Sequence, residues 1–210
     1  MNVAIPIFDH VTALDAVGPY EVLSRLPGTR VCFVASSTGP KRTENGMLAL
    51  TADATLQELP DPEVIVVPGG FGTRELMRDE SMLGWLRAAH ETSVWTTSVC
   101  TGSLLLAAAG ILDGLEATTH WMALETLAEH GARPVARRVV EQGKVITAAG
   151  VSSGIDMALT LAGRIAGEDV AKAIQLGIEY DPEPPFESGS VSKAGSEIVE
   201  LVQRAAAQYA

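Results

Sequence analysis

Apolar residues recur along the chain in short runs separated by segments of helical period. The runs at Val3 to Phe8, Val31 to Ser36, Glu63 to Val67, Val94 to Val99 and Val145 to Ala148 read as strands. Val64-Ile65-Val66-Val67 is apolar at every position instead of alternating, as expected of a parallel strand covered on both faces. Strands alternating with helical segments imply βαβ units. The predicted fold is therefore an α/β three-layer sandwich around a mostly parallel central sheet, with active residues in loops at the carboxyl ends of strands. Val139 to Gln142 and Val145 to Ala148, joined at Gly143-Lys144, read as a hairpin. Thr43-Glu44-Asn45-Gly46 reads as the turn of a smaller hairpin off the main sheet, to which no chemistry is assigned.

Helices are predicted over Tyr20 to Leu26, with Pro19 in the first turn, and from Ser103 up to a left-handed cap at Gly110. The stretches around Arg74 to Arg78 and Met82 to Glu91 read as a solvated face packed on the sheet. A long helix is expected from Gly150 to about Ala166, capped by Ser152 or Ser153, and an amphipathic one from Ser196 to Gln208. The proline-rich stretch Tyr180 to Phe186 cannot be helical throughout and must lie extended.

Chemistry concentrates where the strand ending at Val99 turns into a helix. In Ser98-Val99-Cys100-Thr101-Gly102, small residues flank Cys100 two positions either side, the spacing of a nucleophile elbow. A thiol there also meets a helix N-terminus, which favours the thiolate. The competing reading is an inert, small apolar cysteine at a strand end. Pro68-Gly69-Gly70-Phe71-Gly72 follows the strongest buried strand and is a candidate oxyanion hole or an ordinary strand-to-helix connection; it lacks the Lys and Ser/Thr of a phosphate loop. Asp15, just before the predicted first helix, reads most simply as a cap. Among the histidines, His120 alone sits in a strand-to-helix junction soon after the elbow; His10 lies in a loop, His90 on an exposed helix and His130 at a helix C-terminus.

Composition narrows the partners. The 210 residues are 47% apolar, enough for a full core in one domain spanning 1–210. A net charge of −11, from 26 acidic and 15 basic residues without a Lys/Arg cluster, disfavours nucleic acid or an anionic membrane and leaves a neutral small molecule as the expected partner. The opening Met1 to Phe8 lacks the basic region of a signal peptide, and there are only two cysteines, so a cytoplasmic chain with reduced thiols is expected. No Cys/His spacing matches a zinc site, and no metal or other cofactor is expected.

Five segments in order, Leu14-Asp15-Ala16-Val17-Gly18-Pro19, Pro68-Gly69-Gly70, Ser98 to Ser103, Ala117-Thr118-Thr119-His120-Trp121 and Gly154-Ile155-Asp156, resemble the DJ-1/PfpI superfamily, a glutamine amidotransferase-like group, and within it the isocyanide hydratase branch. Glu179-Tyr180 followed by Pro184-Pro185-Phe186 also resembles that branch. The resemblance implies a flavodoxin-like fold, a homodimer, Cys100 as nucleophile and Asp15 as its acidic partner. It implies that Thr101 contributes an N–H and a hydroxyl, that Gly70 is the other N–H donor, and that His120 is a pocket residue beside Trp121. PfpI-type peptidases carry a histidine directly after the cysteine, where this chain has Thr101, so peptidase activity is disfavoured. DJ-1 and its glyoxalase relatives use a glutamate in place of the aspartate; Glu21 is nearby, but Asp15 sits in the hydratase-like motif. Regulators of the superfamily add a helix-turn-helix domain, which is not expected in a chain ending at Ala210. The implied activity is hydration of an isocyanide to a formamide through a cysteine thioimidate. The alternatives are glyoxalase- or deglycase-like chemistry, a redox stress protein of the DJ-1 type, and a ligand-binding remnant of a regulator.

Overall fold

The computed structural model describes residues 1–207 and falls into two compact units, Met1–Ile178 and the segment from Glu179 onward. In the first unit, β1 (Asn2–Pro6) leads into α1 (Ala13–Leu23), followed by β2 (Arg30–Ala35), a hairpin of β3 (Gly39–Arg42) and β4 (Ala49–Ala52), and the short β5 (Ala54–Thr55). Next come β6 (Val64–Val67), α2 (Thr73–Leu76), α3 (Glu80–Thr92), β7 (Trp95–Val99) and α4 (Gly102–Ala108). After β8 (Glu116–Ala117), α5 (Leu124–Glu129) and β9 (Arg133–Pro134), the unit closes with β10 (Val139–Gln142), β11 (Val145–Ala148), α6 (Ser153–Ala166) and α7 (Glu168–Gly177).

The central sheet has the order β10-β11-β7-β6-β1-β2-β5, and every pairing in it is parallel except that of β10 with β11. The apolar run of β6 explains the layering. Its four side chains are fully buried, and successive residues point to opposite faces: Val64 and Val66 join Val22, Leu23, Met157 and Leu161 from α1 and α6, whereas Ile65 and Val67 join Leu83, Leu86, Leu104 and Leu105 from α3 and α4. Helices thus cover both faces, giving the flavodoxin-like α/β sandwich. Because β1, β6 and β7 are adjacent and parallel, the loops at their carboxyl ends are delivered to one place.

Lys144, in the turn of the β10–β11 hairpin, ties this sheet to the preceding helix. Its Nζ donates to the carbonyl oxygens of His90, Ser93 (3.1 Å) and Glu91 (3.5 Å), supplying a cation and three donors to the C-terminal end of α3. Lys144→Met keeps the aliphatic stem and removes these bonds; it is expected to lower stability by about 1–2 kcal/mol in chemical denaturation.

Several elements depart from the sequence reading. The first helix starts at Ala13, not Tyr20, so Asp15 lies inside its first turn and Pro19 in its second. The first-turn preference of proline placed the start too late; a proline in the second turn is tolerated here because Gly18 and Pro19 are packed in the core. Ser152 holds the N-cap position of α6, as expected, but makes no side-chain capping bond: it accepts from Arg138 Nη2, and Ser153, the first helical residue, donates to the carbonyl of Gly150. His90 is half-buried, not exposed, with Nδ1 2.8 Å from Thr96 Oγ1. The second unit carries α8 (Ser196–Ala206), close to the expected span, with Ile198, Leu201 and Val202 exposed; Gln208 lies outside the described residues.

Candidate active site

The turn from β7 into α4 puts Cys100 at φ 56°, a left-handed conformation rare for a residue with a side chain. Local bonds hold it. The Cys100 N–H points at the carbonyls of Ala148 (3.1 Å) and Ala149 (2.8 Å), and its own carbonyl accepts from Ser103 Oγ (3.2 Å) and Thr119 Oγ1 (3.0 Å). Gly102 is required two residues on, since a Cβ there would lie 2.0 Å from the Val67 carbonyl oxygen. The elbow is thus built by the close approach of α4 to β6.

Asp15 and Cys100 meet under this turn. Asp15 is fully buried and Cys100 is 5% exposed, and their side chains are hydrogen-bond neighbours. Asp15 Oδ2 accepts from the Gly69 N–H at 2.9 Å, while Oδ1 is buried without a partner of good geometry, leaving it open to a proton or a ligand. Thr101 and Val151 each present a backbone N–H to the Cys100 sulfur. Burial raises the Asp15 carboxyl from 3.8 to about 8; the Gly69 bond and the thiol act against this rise, and the nearby Glu44 carboxylate adds to it. Burial and the neighbouring Asp15 likewise push the Cys100 thiol well above its ordinary range. The helix N-terminus that favours a thiolate is thus opposed by a larger effect: α4 offers seven residues of dipole, and desolvation outweighs it.

The glycine loop does a different job from a free oxyanion hole. The Gly70 N–H donates to Thr101 Oγ1 (3.0 Å), and Gly69 is spoken for by Asp15, so both amides organise the site's own side chains. A Cβ at Gly69 would come within 2.6 Å of the Thr101 nitrogen and 2.9 Å of Asp15 Oδ2. His120 stands at the N-cap of a 3₁₀ turn, Trp121–Ala123, its Nδ1 accepting from the Met122 N–H (3.4 Å) and its ring 5.6 Å from that of Trp121. Burial and the cation of Arg74 lower its pKa, so the imidazole is neutral. It bonds neither Asp15 nor Cys100 among the described residues, and Asp15, Cys100 and Thr101 are drawn together without it.

Three further residues were missed in the sequence. Arg74 was placed on a solvated face; it stays exposed, but Nη1 donates to the Gly70 carbonyl (3.2 Å) and its charge acts on Cys100 and His120. Glu44, from the hairpin given no chemistry, accepts from Thr12 Oγ1 (3.0 Å) and acts on Asp15. Val151 opens the turn before α6 and reaches the sulfur through its backbone, which no side-chain pattern announces. Among the described residues no group of three His, Cys, Asp or Glu side chains is placed to hold a metal ion.

The chain as a whole is similar to known proteins. The chain is 43% identical over 207 residues to an isonitrile hydratase of Pseudomonas putida, covering 99% of this chain and 90% of that protein. A crystal structure of a ThiJ/PfpI family protein from Pseudomonas syringae superposes with a TM-score of 0.94 at 35% identity, over 99% of this chain and 86% of that one. Drosophila melanogaster DJ-1beta shares the fold at a TM-score of 0.77 and 18% identity, over 85% of this chain and 97% of that one. With the elbow cysteine, the buried acid and the glycine loop on three adjacent strands, and the model of the DJ-1/PfpI family matching residues 1–164, the chain belongs to the DJ-1/PfpI family.

Proposed function

We propose that the chain hydrates isonitriles, R–N≡C, to N-substituted formamides, with Cys100 as nucleophile and Asp15 as the carrier of the proton. The likeness to the Pseudomonas putida hydratase over nearly the whole of both chains carries this reading. The contact of a buried carboxyl with a buried thiol supports the assignment of roles, because addition to an isonitrile requires a nucleophile and a proton at the same carbon.

In the first step Cys100 Sγ forms a bond to the terminal carbon as the Asp15 carboxyl gives that carbon its proton; the thiol proton passes to Asp15. The product is a thioimidate, R–N=CH–S–Cys100. Starting from a protonated pair, S–H has been added across one carbon with no net charge created in a buried site, where charge separation is costly. The Thr101 and Val151 amides stabilise the negative charge that grows on sulfur. In the second step water adds to the imidate carbon, surrendering a proton that Asp15 relays to nitrogen. The C–S bond then breaks, and sulfur recovers a proton from the new hydroxyl, releasing R–NH–CHO and the thiol.

Thr101 supports hydration over peptide hydrolysis. Its hydroxyl is engaged with Gly70 where a peptidase of the family would carry a basic histidine, and the neutral His120 is bonded away from the thiol. We take residues 1–210 as one functional domain acting in the cytoplasm as a homodimer on a small molecule; the charge of −11 and the family resemblance support this. Among the described residues no helix is long and apolar enough to cross a membrane. Purified protein is expected to produce formamide from both an aryl and an alkyl isonitrile and to leave methylglyoxal untouched. Lactate from methylglyoxal without any formamide would replace this reading with the glyoxalase one.

A further inference from the structure

Two carboxylates converge on the start of α1. Asp15 occupies its first turn, buried, and Glu44 arrives from the β3–β4 turn, half-buried. The placement of Glu44 is specified by two bonds and a bridge: Val11 pairs with Thr43, the Glu44 N–H donates to the Val11 carbonyl (3.2 Å), and Thr12 Oγ1 donates to Glu44 Oε2 (3.0 Å). Thr12 is the N-cap of α1, and its carbonyl accepts from the Asp15 N–H at 3.1 Å. The hairpin turn is therefore fastened to the residue from which the Asp15 turn is suspended.

We propose that Glu44 is a positioning residue for the reaction, a fixed negative charge held beside the first turn of α1 that keeps the proton on Asp15. The inference rests on the reading of Asp15 as the proton carrier. A carboxylate held at this end of α1 disfavours the charged form of Asp15, adding to the larger effect of burial. Glu44 is held in place by the Thr12 hydroxyl, and Arg74 lies within its electrostatic reach. Asp15 is fully buried, with one backbone donor, the Cys100 thiol beside it and an Oδ1 that has no partner of good geometry. The proton thus settles on Asp15, the acid that touches the thiol. The other charged groups around the site leave this order in place. Cys100 is an uncharged thiol at rest, Arg74 faces Glu44 and Cys100, and His120 is neutral beside Arg74. On the neighbouring helix α6, Asp156 is paired with Arg138.

Glu44→Gln tests this, because the amide oxygen can still accept from Thr12 and only the charge is lost. Lowering the Asp15 pKa moves the alkaline limb of the kcat/KM profile to lower pH; a displacement of about 0.5–1 unit is expected, which is a three- to tenfold loss of activity above pH 8 and little change at pH 6. Glu44→Asp, which keeps the charge, should restore the limb. The same displacement is expected in the Asp15 carboxyl resonance of ¹³C-aspartate-labelled protein, assigned by its absence in Asp15→Asn. An unmoved limb with an unmoved carboxyl titration overturns the proposal, as does a loss that is uniform in pH. Full activity in Asp15→Asn would instead overturn the reading of Asp15 as proton carrier, and the carboxyl titration would still decide whether Glu44 acts on Asp15.

Discussion

Cys100→Ala is expected to remove formamide production, by about 10⁴-fold or more, the scale on which loss of a covalent nucleophile is felt. The substitution is a clean one. Alanine and cysteine both carry a Cβ, so the left-handed backbone at φ 56° is no more strained in the variant, and the bonds received from Ser103 and Thr119 and those donated to Ala148 and Ala149 involve only main-chain atoms of residue 100. A folded variant, checked by circular dichroism, therefore reports on the sulfur alone. Turnover within tenfold of the parent would rule out the thioimidate. Mass spectrometry of the parent quenched with a slow isonitrile should find an adduct equal to the whole substrate, since addition releases nothing.

Asp15→Asn is expected to act in opposite directions on activity and stability. Activity falls by at least about a hundredfold, because an amide can neither give the carbon its proton nor take one from the thiol. Stability rises, by an amount that depends on pH. In the unfolded chain the carboxyl ionises near 3.8, whereas in the fold it holds its proton up to about 8. Between those values the folded state binds a proton that the unfolded state has released, so the parent loses stability as pH rises from 4 to 8, and the loss is complete above 8. Asparagine has no such dependence, and its carbonyl can still accept from Gly69. The variant should melt only slightly differently from the parent at pH 4 and be more stable at pH 9 by ~2 kcal/mol or more. A stability difference that does not grow between those two pH values would mean that Asp15 is ionised at rest. A buried acid retained at such a cost to stability is what a site selected for chemistry looks like.

The sheet was legible because the apolar runs of β1, β6 and β11 have a single interpretation: strands of four or five residues without a polar face must be covered on both sides. Cys100 was legible for a similar local reason, since the small residues around it serve contacts made within the same turn. What escaped the sequence depends on the third dimension. The start of α1 was misplaced because proline preference is a local rule and burial overrode it. Glu44 and Arg74 look like ordinary surface charges; only the Val11–Thr43 bridge and the bond of Arg74 to the Gly70 carbonyl bring them to the site. The state of the thiol was also hidden, because a helix N-terminus is visible in a sequence and the degree of desolvation is not.

The clasp on the Cys100 backbone has a bearing on how the protein is made. The carbonyls that receive the Cys100 N–H belong to Ala148 and Ala149, and the amide that reaches its sulfur belongs to Val151, all about fifty residues downstream. While the ribosome is still adding them, β7 has no neighbour on the β11 side, and the strained turn lacks its two N–H acceptors. Cys100 and the β11 side of β7 thus wait for the same downstream hairpin. Until the hairpin docks, the turn that carries Cys100 lacks the Ala148 and Ala149 acceptors and the Val151 amide, so the buried setting of the thiol is completed only by the last part of the sheet to be synthesised.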